Sequence, residues 1–217
     1  MAIMTRGALY HRIDSMRQKY GIRGAFDPYA FVKTRDILLT QHRFTNERLH
    51  GILVRAGRKY GIILDTRLTP AQQRFTLTHE LVHFELHYGE PSTATFHDQG
   101  VEYQADEGAA ELLMPYRDFI PRMAFMRRKF LKNQTAALSF LASFYRLDCE
   151  MVRRRLLSLS YELDLYQRGV PVCELTPVSY RRKRALGMRE SRFGKTLRPV
   201  TTDKIDIFCD TTSGAFF

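Results

Sequence analysis

Residues 69–88 read TPAQQRFTLTHELVHFELHY, and they decide the fold because helix-start signals lead directly into a histidine-bearing apolar helix. Thr69 can cap the first turn, Pro70 suits the first helical position, and Gln72 can complete a capping box. Apolar side chains cover most of the circumference of this segment, which is typical of a buried helix. The sequence therefore predicts one buried helix that begins at residue 70 and ends near Tyr88.

Within this helix, the pentad HELVH at residues 79–83 places two histidines four positions apart, with a glutamate between them. Four residues span about 6 Å of helix, so both imidazoles can reach one metal ion with bonds of about 2.0–2.1 Å. The pattern is typical of helical zinc peptidases. It predicts His79 and His83 as zinc ligands and Glu80 as the general base that activates a water molecule.

A catalytic zinc ion needs a third protein ligand. We predict Glu102, with Asp106 one turn later on the same face as the acceptor of a free ring N–H from His79 or His83. His87 lies about 12 Å from His79 along a straight helix, too far to share an ion, so we expect a favourable charge at the helix end or a packed side chain. Four further candidate ligands are His97, Asp98, Glu107 and Glu111. The two glutamates among them are expected on the surface.

The segments around the motif predict an α+β fold. Upstream, the patterns predict helices over about 8–20 and 28–33, a strand over 37–40, and a hairpin built from 49–54 and 60–64. Downstream, they predict a helix over about 102–113 and two helices within 135–159 that separate near Asp148, which can cap the second. We therefore expect a small antiparallel sheet that precedes the buried motif helix, followed by a helical C-terminal half.

The composition is that of a folded protein, with 217 residues of which 44% are hydrophobic. No stretch has the roughly 18–20 apolar residues of a membrane span, and the first residues lack an apolar signal-peptide core, so we expect a cytoplasmic protein. The net charge of +11 indicates either an acidic partner such as nucleic acid or a solvated basic face. Much of this charge follows residue 150, in the runs 153–155 and 181–184.

Two parts of the sequence resemble the ImmA/IrrE family of metallopeptidases. They are QRFTLTHELVH at 73–83, and EYQAD at 102–106 followed by AAELLMP at 109–115. The resemblance extends over roughly residues 10–160. It implies a zincin-like fold, zinc as the cofactor, two histidine ligands, a glutamate ligand and a catalytic glutamate. Members of this family include proteins that cleave helix-turn-helix repressors, which implies a repressor substrate and the release of silenced phage, mobile-element or stress genes.

Because the resemblance ends near residue 160, we predict a metallopeptidase domain over 1–165, including a helical subdomain at about 120–165. A basic extension of unknown role follows over 166–217. Two alternatives to the peptidase remain open. One is a zinc-containing regulatory module that binds a repressor or DNA without cutting, and the other is weak nucleic-acid contact through the basic tail or the arginines of 153–155.

Peptide hydrolysis also requires a binding surface for the substrate and a donor to the developing oxyanion. The strand near 60–64 is expected to pair with an extended substrate through main-chain hydrogen bonds. The candidate oxyanion donors are Tyr88, Tyr103, His97 and Arg117.

Overall fold

The computed structural model describes residues 4–87 and 99–187, which form an α+β fold. The N-terminal part consists of α1 (Arg6–Lys19), α2 (Pro28–Thr34), β1 (Ile37–His42), β2 (Gly51–Ala56) and β3 (Lys59–Asp65). The remainder consists of α3 (Pro70–Val82) with a π-helical turn (His83–His87), α4 (Gln99–Leu113), α5 (Tyr116–Lys132), α6 (Gln134–Tyr145), α7 (Cys149–Ser158), α8 (Ser160–Gln167), a 3-10 turn (Val172–Glu174) and α9 (Tyr180–Ala185). The predicted fold class is confirmed. The predicted helix end near Tyr88 lies outside the described residues.

The sheet has the strand order β1-β3-β2, with β3 in the centre. β2 and β3 form the predicted antiparallel hairpin, whose turn contains Gly57 at a φ of +63°. β1 pairs with β3 in parallel, so the sheet is mixed rather than purely antiparallel. This arrangement arises because the chain leaves β1, forms the outer strand β2 first, and only then returns through the centre.

Helix α3 begins as the sequence predicts and packs between the sheet and α4. The Thr69 hydroxyl oxygen accepts a hydrogen bond from the Gln72 backbone N–H, and the Thr69 backbone N–H donates to the Gln72 side-chain oxygen, which completes the capping box. A Cβ atom on Gly108 of α4 would lie 3.0 Å from Cγ1 of Val82. The missing side chain at Gly108 therefore lets α4 approach α3 closely, and this approach sets residues 102–106 opposite the histidines.

Helix α5 is absent from the sequence prediction because Pro121 lies within it. A proline inside a helix removes one main-chain hydrogen bond and is usually a helix breaker. Here Phe119, Ile120 and Met123 on the same helix are at most 1% exposed. Their burial offsets the lost hydrogen bond, so the helix continues through the proline.

The described part of the predicted extension packs against the helical half. Leu175 is buried, the backbone carbonyl of Val178 accepts from Arg6 at 3.2 Å, and Lys183 lies 2.6 Å from Glu162. The boundary near residue 165 stays a prediction, and residues 188–217 lie outside the described structure. Within the described part of the chain, no helix is both long and apolar enough to cross a membrane.

Candidate metal centre

The helix geometry brings the two histidines of the pentad next to each other, with their rings edge to face and the ring centroids 4.7 Å apart. His79 lies near the end of α3, and His83 starts the π-helical turn that continues it. Their Nε2 atoms are 3.0 Å apart, and both side chains are mostly shielded from solvent. The two ring nitrogens therefore point at a common position.

Glu102, near the start of α4, completes this cluster from the opposite side. Its Oε2 lies 3.3 Å from Nε2 of His79, and its Oε1 lies 3.5 Å from Nε2 of His83. In a tetrahedral zinc site with bonds of about 2.0–2.1 Å, neighbouring ligand atoms are about 3.3 Å apart. Each Nε2 atom has a Glu102 oxygen at about this distance, and one ligand atom from each of the three residues lies within 4.8 Å of the others, so the cluster could hold a metal ion.

Asp106 contacts the rear nitrogen of His79. Its Oδ1 lies 2.7 Å from Nδ1 of His79. Burial lowers the pKa of His79, but the carboxylates of Asp106 and Glu102 outweigh burial and raise the pKa well above its ordinary value. An Nδ1–H donated to Asp106 leaves Nε2 of His79 free to bind a metal.

Glu80 lies beneath β2, next to the cluster. A backbone hydrogen bond from Leu53 reaches its carboxylate, and a Cβ atom on Gly51 would lie 3.1 Å from its Oε1. Burial raises the pKa of Glu80, although His79 and His83 lower it. Sequence reasoning missed Gly51 and Leu53, because their contact with Glu80 depends on how the sheet packs over α3. The only local signal is a glycine at the start of a β-branched run.

His87 is a packed side chain, which was one of the two alternatives that the sequence predicted. It is buried, and its Nδ1 lies 2.9 Å from Nδ1 of His83. Burial, together with the neighbouring His83, lowers the pKa of His87 to about 4. The other alternative, a favourable charge at the helix end, is therefore wrong near neutral pH.

The prediction that Glu107 and Glu111 are surface residues is wrong. Glu107 is 0% exposed and Glu111 is 2% exposed. Oε1 of Glu107 lies 2.6 Å from Arg6 and 2.9 Å from Arg155, and Glu111 also pairs with Arg155. Both carboxylates are committed to these arginines, which excludes them as metal ligands in this conformation.

The basic run 153–155 is not a solvated face. Arg155 is fully buried in the pairs with Glu107 and Glu111, whereas Arg153 and Arg154 pair with Glu150 on the same helix. None of these three arginines is more than 8% exposed. The expectation that they contact phosphates is therefore wrong, because such contacts require exposed guanidinium groups.

The remaining candidate metal ligands and oxyanion donors lie in different parts of the chain. Tyr88, His97 and Asp98 lie outside the described residues. Arg117 pairs with Asp14 of α1, with 2.7 Å between the guanidinium nitrogen and the carboxylate oxygen. The hydroxyl of Tyr103 on α4 is buried, and this residue stays a candidate oxyanion donor.

The comparison with family models supports the resemblance found in the sequence. The model of the IrrE N-terminal-like domain, from peptidase family M78, matches residues 32–157, which is more than half of the chain. The match contains the pentad on α3 and the carboxylates on α4. A comparison with curated protein sequences finds no significant match. The chain therefore belongs to the IrrE N-terminal-like family of metallopeptidases.

Proposed function

We propose that the protein is a zinc-dependent endopeptidase in which His79, His83 and Glu102 hold the metal ion. The observation that carries this proposal is the spacing of 3.0–3.5 Å among the two Nε2 atoms and the Glu102 oxygens. Two imidazoles and a carboxylate are a ligand set that zinc prefers, and a fourth position remains for water or substrate. Glu102 is the most exposed of the three, with 40% of its side chain accessible, so the cluster opens to solvent at this ligand.

A bound zinc ion would polarise the peptide carbonyl and lower the pKa of the attacking water. Glu80 then accepts the proton of that water and later donates it to the leaving amine. Its raised pKa suits both steps, because a base that ionises nearer neutral pH also returns the proton more readily. The Leu53 backbone holds the carboxylate in place, and Asp106 holds the ring of His79.

The substrate strand pairs with β2 in this proposal, rather than with the strand over 60–64 that the sequence suggested. β3 occupies the centre of the sheet and hydrogen-bonds to both β1 and β2, so it cannot accept another strand. β2 has one neighbour among the described strands and also contacts Glu80. An extended peptide added to its outer edge would lie next to the general base.

The proposed substrate is a helix-turn-helix repressor, whose cleavage in the cytoplasm would derepress phage, mobile-element or stress genes. Membership of the IrrE N-terminal-like family supports the peptidase, and the repressor rests on the resemblance to repressor-cleaving members. The alternative is a zinc-containing module that binds a repressor or DNA without cutting. The buried Glu80 beside the cluster argues against it, since a regulatory module has no use for a general base.

Co-expression with candidate repressors tests the proposal. Each helix-turn-helix repressor encoded near the gene is expressed with wild type, Glu80→Gln or Glu85→Gln, and its length is read by mass spectrometry. Glu85 is a matched control, because it lies in the same helical segment but bonds to Tyr20. We expect cleavage with wild type and Glu85→Gln and intact repressor with Glu80→Gln. Equal cleavage by all three proteins would contradict the assigned role of Glu80.

A further inference from the structure

His87 directly contacts one of the proposed metal ligands. The two Nδ1 atoms of His83 and His87 are 2.9 Å apart, and the ring centroids are 4.9 Å apart. Both residues belong to the π-helical turn that follows α3. π-Helical turns are rare in proteins, and those that occur often lie at functional sites.

A hydrogen bond between two neutral imidazole nitrogens requires one to carry a proton and the other to lack it. Nε2 of His83 faces His79 and Glu102, so it must be unprotonated to bind a metal ion. The proton of His83 therefore sits on Nδ1 and is donated to His87. Nδ1 of His87 must be the acceptor, which places the proton of His87 on its own Nε2.

Nε2 of His87 is buried and has no hydrogen-bond partner in the described structure. The side-chain oxygen of Gln104 is in the same condition, and the Gln104 side chain interacts with His87. A small adjustment would let the Nε2–H of His87 donate to this oxygen. Buried polar groups are rarely left unpaired, so this donation explains two orphaned atoms at once.

We propose that His87 is a positioning residue, whose Nδ1 accepts the Nδ1–H of His83 and thereby fixes the ring that presents Nε2 to the metal. This inference rests on the proposed metal site. It makes the two histidine ligands different, because His79 is backed by the carboxylate of Asp106 whereas His83 is backed by a neutral imidazole. Gln104 in turn orients His87 from α4.

Zinc affinity of the full chain, measured by competition with a chromogenic chelator, tests the proposal. His87→Leu removes the acceptor and should weaken zinc binding about 10–100-fold. His87→Asn should restore most of the affinity, because the Asn side-chain oxygen can occupy the place of Nδ1. Leu77→Ala, a buried truncation earlier on α3, is the packing control, and it should lower the Tm while leaving the affinity unchanged.

The outcomes separate the two proposals. If wild type binds no zinc, the proposed metal site is wrong. If wild type binds zinc and His87→Leu binds it equally well, or His87→Asn restores nothing, the positioning role is wrong. Should His87→Leu not fold, the tautomers of wild type decide the matter in long-range ¹H–¹⁵N correlation spectra of the zinc-loaded protein. We expect protons on Nδ1 of His83 and Nε2 of His87, and a proton on Nδ1 of His87 would overturn the inference.

Discussion

Helix α4 carries two carboxylate pairs with the same spacing and opposite surroundings. Glu102 and Asp106 are four residues apart and face the histidines of α3. Glu107 and Glu111 are also four residues apart, but they face Arg155, and Glu107 also faces Arg6. Spacing on a helix therefore identifies carboxylates that act together, whereas the partners opposite them decide what they do.

The balance of acidic and basic groups also differs between these two faces of α4. Glu107 and Glu111 meet the guanidinium groups of Arg6 and Arg155, so acidic groups do not outnumber basic ones on this face. On the other face, the carboxylates of Glu80, Glu102 and Asp106 surround two imidazoles. Acidic groups outnumber basic ones there, and a divalent cation would balance them. We infer that the first face stabilises the fold and that the second is built to receive an ion.

The largest effect is expected on the arginine face of α4, where Glu107 and Glu111 pair with Arg6 and Arg155. Glu107→Gln leaves Arg6 and Arg155 buried with one fewer negative charge, and loss of one partner in a buried ion pair costs about 3–5 kcal/mol of unfolding free energy. Urea denaturation of the metal-free protein measures this value. Glu102→Gln on the same helix is the matched control, and it should change the unfolding free energy by less than about 1 kcal/mol. Equal losses in both variants would remove the distinction between the two faces.

Removing the C-terminal segment also tests the arginine face, because the backbone carbonyl of Val178 accepts a hydrogen bond from Arg6. Ending the chain after Gly169 removes buried Leu175, the carbonyl that accepts from Arg6, and Lys183, so we expect a loss of about 2–4 kcal/mol. Zinc affinity should stay within a few-fold of wild type, because the truncation does not touch the metal face of α4, which carries Glu102 and Asp106. A folded protein of unchanged stability after this truncation would support the sequence-based boundary near 165 instead.

A smaller effect is expected at the metal face. Asp106→Ala removes the acceptor of the His79 ring N–H and should weaken zinc binding about 10–100-fold, without abolishing it. Asp106→Asn keeps an acceptor and should lose less. Chelator competition measures both constants. If neither variant differs from wild type, Asp106 does not position His79.

A further effect is a pH dependence on the arginine face. Burial raises the pKa of Glu111 to about 7, although Arg155 lowers it. A carboxyl whose pKa is raised on folding binds its proton more tightly in the native state. Its contribution is therefore fully present below about pH 4.5 and is lost as the pH rises through about 7. Urea denaturation at pH 5 and pH 7.5 should show a larger decrease in stability for wild type than for Glu111→Gln, and identical decreases would contradict this pKa.

The parts of the structure that the sequence predicts are those fixed by local signals. The capping box at Thr69 and the i, i+4 spacing of His79 and His83 are local, and both appear as expected. The burial of Glu107 is not local, because Arg6 and Arg155 lie 101 and 48 residues away along the chain. No pattern around Glu107 distinguishes it from Glu102, so its role became visible only in the fold.

The contact of Glu80 with β2 was unpredictable for a related reason. It depends on the angle at which the sheet crosses α3, and the sequence suggested that β3 would be the strand available to the substrate. The parallel pairing of β1 covers β3 and leaves β2 at the edge. A single long-range strand pairing thus decides which backbone can receive a substrate.

Metal content is the most direct test of the central claim that one cluster on α3 and α4 binds zinc. Wild type, Glu80→Gln and Glu102→Gln are purified in parallel, and zinc per chain is determined by inductively coupled plasma mass spectrometry. We expect about one zinc ion per chain in wild type and in Glu80→Gln, since Glu80 is not a ligand, and little or none in Glu102→Gln. Zinc-free wild type, or full zinc in Glu102→Gln, would contradict the assigned metal site.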